Sequence, residues 1–220
     1  MSADLRHVET WLFDLDNTLY PTTSGFMGEI ERRMTDYVER LTGLPRDEAY
    51  RLQKKYLAEY GLTLSGLIEH HGVDPAEYHA MFDDLPLEGL AENPDLIAAI
   101  ERLPGRRLIF TNANDVHAER VLARLGLAHL FDDVFHIALS AYVPKPSRVA
   151  FAAIDAAHGI DPKITAFFED SERNLEPAAE LGMTTVLVGP NAPASTAAFV
   201  RYKTDNLASF LNDAQLREAA

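Results

Sequence analysis

The sequence contains no cysteine among its 220 residues. Disulfide bonds, thiolate nucleophiles and zinc sites with thiolate ligands are therefore excluded. This composition fits a reducing compartment, and residues 1–11 are too polar to form the apolar segment of a secretory signal. We therefore expect a cytoplasmic protein.

Long apolar runs and positive charge are also scarce. No apolar stretch approaches the ~20 residues that span a bilayer, so we expect no membrane association. The 20 Lys and Arg residues face 34 Asp and Glu residues, which gives a formal net charge of -14. A surface of that sign repels a nucleic acid polymer. A small phosphorylated metabolite is still compatible with this net charge, because a metal ion and a few local donors act at short range.

The composition is otherwise that of a globular protein. Hydrophobic residues make up 47% of the chain and charged residues 25%, so most of the chain is expected to fold around a core. A chain of this length accommodates one domain, or a main domain with a smaller inserted one. We expect a monomer or a homodimer.

The first part of the chain predicts one strand followed by helices. Residues 10–13 form a short apolar run that ends at Asp14, as in a buried strand. From residue 25 an apolar stripe with three- and four-residue spacing predicts an amphipathic helix that Gly43 ends. The stripe consists of Met27, Ile30, Met34, Val38 and Leu41, and further helices are predicted over 46–60, 64–71 and 75–82. Residues 21–88 are thus predicted to form an all-helical cap.

After residue 88, predicted helices and strands alternate. The strands are predicted over 107–111, 134–139, 165–169, 184–188 and 199–202, and the helices over 94–102, 114–125, 147–158, 175–181 and 207–211. This alternation implies a parallel sheet covered by helices on both faces. The predicted fold class is therefore α/β, with a catalytic core of residues 1–20 and 89–220 and the cap inserted after the first strand.

Polar residues that can take part in catalysis or bind a ligand follow several of the predicted strands. They are Asp14 to Thr18 after the first strand, Thr111 and Asn112 after the second, Glu169 and Asp170 after a later strand, and Lys145 in a loop between two prolines. Ligands of open parallel sheets bind beyond the carboxyl ends of the strands. We therefore expect these residues to share one site.

The residue types favour phosphate ester chemistry. A carboxylate such as Asp14 can attack phosphorus and divide a slow hydrolysis into two steps, while Asp16 acts first as general acid and then as general base. Repulsion between a carboxylate and a phosphate dianion calls for a divalent cation, and oxygen ligands from Asp170 and Glu169 suit Mg²⁺.

The remaining residues of the predicted site supply donors for the phosphoryl oxygens. These donors are the Thr111 hydroxyl, the Asn112 backbone amide, the Lys145 ammonium, and the backbone amides of Leu15 and Asp16. The alternatives are structural. Thr111 and Asn112 also suit a turn or a helix cap, Lys145 a solvated surface, and Glu169 with Asp170 the acidic first turn of a helix.

Four segments, in chain order, resemble the motifs of the haloacid dehalogenase-like hydrolases. They are Asp14 to Thr18, Thr111 with Asn112, Lys145, and Glu169 with Asp170. The resemblance spans residues 11 to about 188 and implies a Rossmann-like core, an aspartyl-phosphate intermediate and a mobile helical cap. It also implies Mg²⁺ held by Asp14, the backbone carbonyl of Asp16 and the late acidic motif. True dehalogenases lack the second aspartate, so Asp16 favours phosphate chemistry.

A narrower resemblance concerns the substrate. Residues 13–21 and 168–174 are similar to the pyrimidine 5'-nucleotidase branch, which implies a pyrimidine nucleoside 5'-monophosphate. Three alternatives stay open: a phosphatase for another small metabolite, such as a sugar phosphate or phosphoglycolate, a sugar phosphomutase, and a non-catalytic regulator that binds a phosphorylated ligand.

Other polar and aromatic residues receive weaker interpretations. His117 is interpreted as part of a solvated helix face, and His70 and His71 as structural or surface residues. Tyr20 and Phe26 lie at the junction of core and cap, where stacking on a base or sugar stays open. Asn174 either bonds a carboxylate that binds the metal or only sits on its helix.

Overall fold

Six parallel strands form one sheet in the computed structural model, which describes residues 2–217. The strands are β1 (Thr10–Phe13), β2 (Arg106–Phe110), β3 (Asp133–Phe135), β4 (Thr165–Glu169), β5 (Thr184–Val188) and β6 (Tyr202–Thr204). Their spatial order is β3-β2-β1-β4-β5-β6, so β1 lies between β2 and β4. The chain order reverses beside β1, which is where open parallel sheets bind ligands. The predicted α/β parallel-sheet fold is confirmed.

The central strands are buried on both faces. Every residue of β1 and β4 is buried, as expected for a sheet with helices on both sides. Phe13 and Phe168 stack on one face, with ring centroids 4.5 Å apart, while Leu12 and Phe167 pack in the apolar cluster on the other. This alternation follows from the two-residue period of a strand. It fixes the carboxyl ends of β1 and β4 side by side.

Nine α-helices occur within residues 2–217. They are α1 (Phe26–Thr42), α2 (Arg46–Tyr60), α3 (Thr63–His71), α4 (Pro75–Ala80), α5 (Pro94–Glu101), α6 (Asp115–Arg124), α7 (Arg148–His158), α8 (Glu172–Leu181) and α9 (Leu207–Asp213). Side-chain caps begin two helices where they are predicted: the Asn93 oxygen accepts from the Asp95 and Leu96 amides, and the Ser147 oxygen from the Val149 amide. None of the helices within the described residues is both long and apolar enough to cross a bilayer.

Helices α1 to α4 lie between β1 and the rest of the sheet in chain order. Close packing joins α2 to α3, since a Cβ atom added to Gly66 would lie 2.3 Å from Cγ of Tyr56. The stripe of α1 is only partly buried: Ile30 and Val38 are buried, but Leu41 is 40% exposed. The division of the chain into domains at residues 20 and 88 stays a prediction.

Two predicted strands are shifted, because side-chain hydrogen bonds replace the ladder. The chain leaves the sheet after Phe135, and Ile137–Ser140 form a 3₁₀ turn in which the Ser140 hydroxyl lies 2.9 Å from the Ile137 carbonyl oxygen. The predicted strand over 199–202 begins only at Tyr202. Before it, the Thr185 hydroxyl donates to the Phe199 carbonyl and accepts from the amide of residue 201.

Helix α8 begins three residues earlier than predicted, at Glu172. Its first turn is polar and includes Arg173 and Asn174, which line a cavity, so the apolar period starts only at Leu175.

Candidate active site

A buried ion network joins the carboxyl ends of β1 and β4. The Lys145 ammonium donates to Asp14 Oδ1, to Glu169 Oε2 and to the Phe110 carbonyl oxygen, each at 2.7 Å. Lys145 is only 1% exposed, and these three acceptors match its three protons. The interpretation of Lys145 as a solvated surface residue is therefore excluded.

Asp14 is held at both of its carboxylate oxygens. Besides the bond from Lys145 to Oδ1, the Thr18 hydroxyl donates to Oδ2 at 3.0 Å. The Asp14 amide donates to the Phe168 carbonyl, which ties the start of the turn to β4. Leu15 is buried within this turn, and Asn17 adopts a left-handed backbone with φ of 63°. The turn thus presents Asp14 in a fixed orientation.

The carboxylates outnumber the cations at this site. One oxygen from each of Asp14, Glu169 and Asp170 lies within 4.8 Å of the others. Burial, followed by the charge of Glu169, raises the pKa of Asp14 even though Lys145 lowers it. Burial and the neighbouring Glu169 and Asp14 likewise raise the pKa of Asp170. Three crowded oxygen donors with excess negative charge fit a hard divalent cation such as Mg²⁺.

Glu169 has both carboxylate oxygens occupied by other groups. Oε2 accepts from Lys145, and Oε1 accepts from the Ser171 amide at 3.0 Å. Asp170 is the neighbour without such a lysine contact. The geometry therefore favours Asp170 over Glu169 as the residue that reaches a cation directly.

Asp16 lies beside Asp14 and is bound by two donors that the sequence did not reveal as partners. Tyr20 Oη donates to Asp16 Oδ1 at 2.7 Å, and Nε2 of His117 lies 2.8 Å from the same oxygen. Burial raises the pKa of Asp16, but the charge and hydrogen bond of His117 and the bond from Tyr20 outweigh burial and lower it. For His117 burial lowers the pKa, and the Asp16 carboxylate outweighs burial and raises it.

The interpretation of His117 as a solvated residue is wrong, since it is only 7% exposed. The signal in the sequence is its position four residues before the buried Val121, on the inner face of α6. Tyr20 and Phe26 are also buried, and the Phe26 ring stacks on His117 with centroids 5.8 Å apart. Tyr20 bonds Asp16, and Phe26 packs against Tyr20 and His117, so neither ring is free to stack on a ligand in this structure.

Thr111 and Asn112 have different tasks. Thr111 is 2% exposed and its hydroxyl accepts from the Ala113 amide, while the Asn112 side chain braces the loop of Lys145. Asn112 Oδ1 accepts from the Lys145 amide at 2.9 Å, and Nδ2 donates to the Lys145 carbonyl at 3.3 Å. The cap of α6 is Asn114. Neither Thr111 nor Asn112 therefore serves as the helix cap.

A cavity of about 330 Å³ extends from these residues to the helices α1 to α4. Its apolar wall consists of Met27, Ile30, Met34, Leu57, Leu62, Tyr78 and Phe82. The Arg173 guanidinium donates to the Leu57 and Gly61 carbonyl oxygens at 3.4 and 3.0 Å, which joins α8 to the end of α2. The helices thereby cover the carboxylates.

One buried polar residue of the cavity, Gln53, was not singled out from the sequence. Gln53 is 0% exposed, and its Oε1 lies 2.7 Å from the Thr35 hydroxyl. Asn174, whose role the sequence left open, is buried, and its Oδ1 has no hydrogen-bond partner within residues 2–217.

His70 and His71 are structural, since they bond the hydroxyls of two tyrosines of α2.

His79 in α4 also lines the cavity and has an unusual pKa. It is 8% exposed, and its Nε2 lacks a partner in the part of the chain that the structure describes. Burial, with smaller contributions from the charges of His117 and His136, lowers the pKa of His79 to about 4.

His79→Phe is expected to flatten the pH dependence of stability. In wild type, His79 does not lower the free energy of unfolding above the unfolded pKa of about 6.5, where the imidazole is neutral in both states. As the pH falls toward the folded pKa, the free energy of unfolding decreases, because the unfolded state binds the proton more tightly. The difference between the two pKa values corresponds to about 3 kcal/mol. Urea unfolding at pH 7.5 and pH 4 would measure this loss in both proteins.

The phenylalanine ring keeps the packing against Tyr142, whose ring stacks on His79. His129→Phe, at an exposed position, is the matched control and should keep the wild-type pH dependence. Parallel pH curves for wild type and His79→Phe would contradict the expectation.

Comparison with known proteins identifies relatives over most of the chain. The family model of the haloacid dehalogenase-like hydrolases matches residues 8–182. Phosphate metabolism protein 8 of Saccharomyces cerevisiae is 30% identical over 196 residues, which cover 81% of this chain and 61% of the yeast protein. The chain thus spans less than two thirds of that relative. Glyceraldehyde 3-phosphate phosphatase of Methanopyrus kandleri is 28% identical over 200 residues, covering 82% of this chain and 84% of the archaeal protein.

The fold has relatives among solved structures. CbbY from Rhodobacter sphaeroides, crystallised in complex with phosphate, superimposes with a TM-score of 0.66 at 24% identity, over 93% of this chain and 99% of that one. This similarity establishes the fold alone. The match of the family model over residues 8–182 assigns the chain to the haloacid dehalogenase-like hydrolases.

Proposed function

We propose that this protein is a Mg²⁺-dependent phosphatase that hydrolyses a small phosphate monoester through an aspartyl-phosphate on Asp14. The observation that carries the proposal is the fixed Asp14 carboxylate, which lies on the cavity floor between Lys145 and Thr18 with Asp16 beside it. This arrangement supports the proposal, because a candidate nucleophile, a candidate acid–base group and the Lys145 ammonium line the same cavity.

In the proposed reaction, Asp14 is the nucleophile and Asp16 transfers protons. An oxygen of Asp14 attacks phosphorus, the bond from phosphorus to the ester oxygen breaks, and that oxygen takes a proton from the Asp16 carboxyl group and leaves as the alcohol. Water then gives a proton to the Asp16 carboxylate as its oxygen attacks phosphorus. The bond from phosphorus to Asp14 breaks, so inorganic phosphate is released and the free Asp14 carboxylate and the protonated Asp16 carboxyl group are restored.

The phosphoryl oxygens need donors during both steps. In the proposal, the Thr111 hydroxyl and the backbone amides of Leu15, Asp16 and Asn112 supply them, and the Lys145 ammonium, whose protons are already bonded, adds positive charge beside them. Thr111, Asn112 and Lys145 all line the cavity beside Asp14.

Mg²⁺ would be held by Asp14, by the backbone carbonyl of Asp16 and by Asp170, with Glu169 next to it. The crowding of three carboxylate oxygens within 4.8 Å supports this assignment. When bound, the cation would neutralise the repulsion between Asp14 and the phosphate dianion.

The proposed substrate is a pyrimidine nucleoside 5'-monophosphate. The cavity of about 330 Å³ is at the small end of ligand pockets, and it combines an apolar wall with the amide of Gln53. Such a wall suits a single planar base, and an amide suits its polar edge. A sugar phosphate is the second candidate, because the Methanopyrus kandleri relative is named as a glyceraldehyde 3-phosphate phosphatase.

Phosphate release from a substrate panel tests both candidates. The panel comprises pyrimidine and purine 5'-monophosphates, hexose and triose phosphates and phosphoglycolate, each with Mg²⁺ and with a chelator. We expect Mg²⁺-dependent release that is fastest with a pyrimidine nucleotide, and Asp14→Asn protein serves as the blank. Fastest release from a sugar phosphate would show that the substrate is a sugar phosphate and not a pyrimidine nucleotide. Formation of an isomeric sugar phosphate would indicate a mutase. No release from any compound would favour a regulator that only binds a phosphorylated ligand.

A further inference from the structure

We infer that His117 and Tyr20 are positioning residues that orient the Asp16 carboxylate for proton transfer to the leaving group. The inference rests on the proposed function, because it assigns a role to the neighbours of the proposed general acid. Neither residue belongs to the four motifs that carry the reaction chemistry.

The first observation is that both donors converge on one oxygen. Tyr20 Oη lies 2.7 Å and His117 Nε2 lies 2.8 Å from Asp16 Oδ1. An oxygen that accepts two such bonds directs the proton of the carboxyl group to the other oxygen, Oδ2. Asp16 lines the cavity beside Asp14, and its side chain is 23% exposed. The two bonds therefore set which oxygen delivers the proton to a bound ester.

The second observation is that the donors are themselves fixed by packing. The Phe26 ring stacks on the His117 ring with an interplanar angle of 18° and meets the Tyr20 ring edge-on at 5.8 Å. Asn114 caps α6 by accepting from the His117 amide, which fixes the start of the helix that carries the imidazole. Neither donor can turn away without disturbing buried neighbours. A carboxylate held by such groups loses the freedom to rotate away from the ester oxygen.

The third observation concerns the position of Phe26. It is the first residue of α1 and thus belongs to the helices that cover the cavity. A single ring of the covering helices touches both donors to the acid–base group. Correct placement of α1 and correct orientation of Asp16 therefore depend on the same contact.

A role in orienting the acid predicts a selective kinetic defect. The alkoxide of an alkyl phosphate is a poor leaving group and needs a proton from Asp16, whereas p-nitrophenolate leaves without one. A misplacement of about 1 Å lowers a rate about 100-fold. We expect His117→Phe and Tyr20→Phe to lower kcat/KM about 100-fold for the best alkyl phosphate of the panel and much less for p-nitrophenyl phosphate.

Rescue distinguishes the hydrogen bond from the packing. His117→Phe keeps an aromatic ring against Phe26 and removes the donor, whereas His117→Gln restores an N–H donor and should recover most of the activity toward the alkyl ester. His129→Phe and Tyr202→Phe are the matched controls, since His129 is exposed and Tyr202 lies on β6 beside Asp4. Should His117→Phe not fold, Tyr20→Phe and His117→Gln carry the test.

Asp16→Asn separates the acid role of Asp16 from the positioning role of its two neighbours. If wild type hydrolyses both esters and Asp16→Asn loses mainly the alkyl ester, the acid role of Asp16 holds. Equal losses on both esters in His117→Phe and Tyr20→Phe, or no loss in either, would then overturn the positioning role alone. Wild-type protein without activity on either ester would instead overturn the proposed function, and the positioning role with it.

Discussion

Asp14→Asn is expected to lower phosphate release by at least about 10⁴-fold, as removal of a nucleophile does in other enzymes that form covalent intermediates. The amide of asparagine has nearly the shape of the carboxylate but is neutral and does not attack phosphorus. Phosphate release should be measured with Mg²⁺ at a substrate concentration that saturates wild type. A trapped phosphoryl group, visible as an increase in the protein mass after acid quenching, should appear only in wild type.

The same substitution should leave the fold intact or stabilise it. Burial and Glu169 raise the pKa of Asp14, which means that the protein disfavours this charge when no cation is bound. A neutral side chain relieves that repulsion and still offers an oxygen to Thr18 or Lys145. Thermal unfolding without Mg²⁺ should therefore show an equal or higher midpoint.

Asp155→Asn is the matched control, because Asp155 is exposed on α7. It should keep both the activity and the midpoint of wild type. Substantial turnover by Asp14→Asn would contradict the role of Asp14 as nucleophile, and a clearly lower midpoint would contradict the electrostatic argument.

Lys145→Met is expected to destabilise the protein by about 3–5 kcal/mol, the usual effect of removing one partner from a buried ion pair. Methionine fills much of the volume of the lysine stem but leaves Asp14 and Glu169 without the ammonium that now contacts both at 2.7 Å. The free energy of unfolding, measured in urea, gives the loss. Activity should fall on the order of 10³-fold, because the positive charge beside the proposed phosphoryl site is lost as well.

Two comparisons make this expectation specific. Lys163→Met, at an exposed position in the 3₁₀ turn before β4, should change stability little. Adding Asp14→Asn to Lys145→Met should restore part of the lost stability, because one of the two unpaired carboxylates is removed. Additive effects of the two substitutions would show that Lys145 stabilises the fold by packing and not through these charges.

Residues whose setting is local were predictable from the sequence. A buried strand that ends at Asp14 and a cap at Ser147 depend on a few neighbours along the chain, so the pattern determines them. The parallel sheet followed from the alternation of strands and helices. The proximity of Asp14 and Glu169 then followed from the rule that the carboxyl ends of parallel strands share one edge.

Other features depend on tertiary contacts that no local pattern contains. The four-residue spacing from Val121 indicates only that His117 faces inward, whereas its bond to Asp16 and its stacking on Phe26 involve residues far away along the chain. The simultaneous bonds of Lys145 to Asp14 and Glu169 were likewise not predictable, since the motifs suggested only a charge near the nucleophile. The early end of β3 depends on a hydroxyl bond within the turn that follows it.

The acceptors of Lys145 come from three distant segments, at separations of 131, 35 and 24 residues. A piece of the chain must include residues 14–169 to contain the whole network, and a partly folded chain that lacks one segment would bury a charge without its partner. The proposed phosphatase activity therefore requires that β1, β2, the loop of Lys145 and β4 have all assembled. The recovery of turnover after dilution from denaturant would thus report complete assembly of the sheet, whereas far-ultraviolet circular dichroism reports the regain of secondary structure, to which helices contribute most.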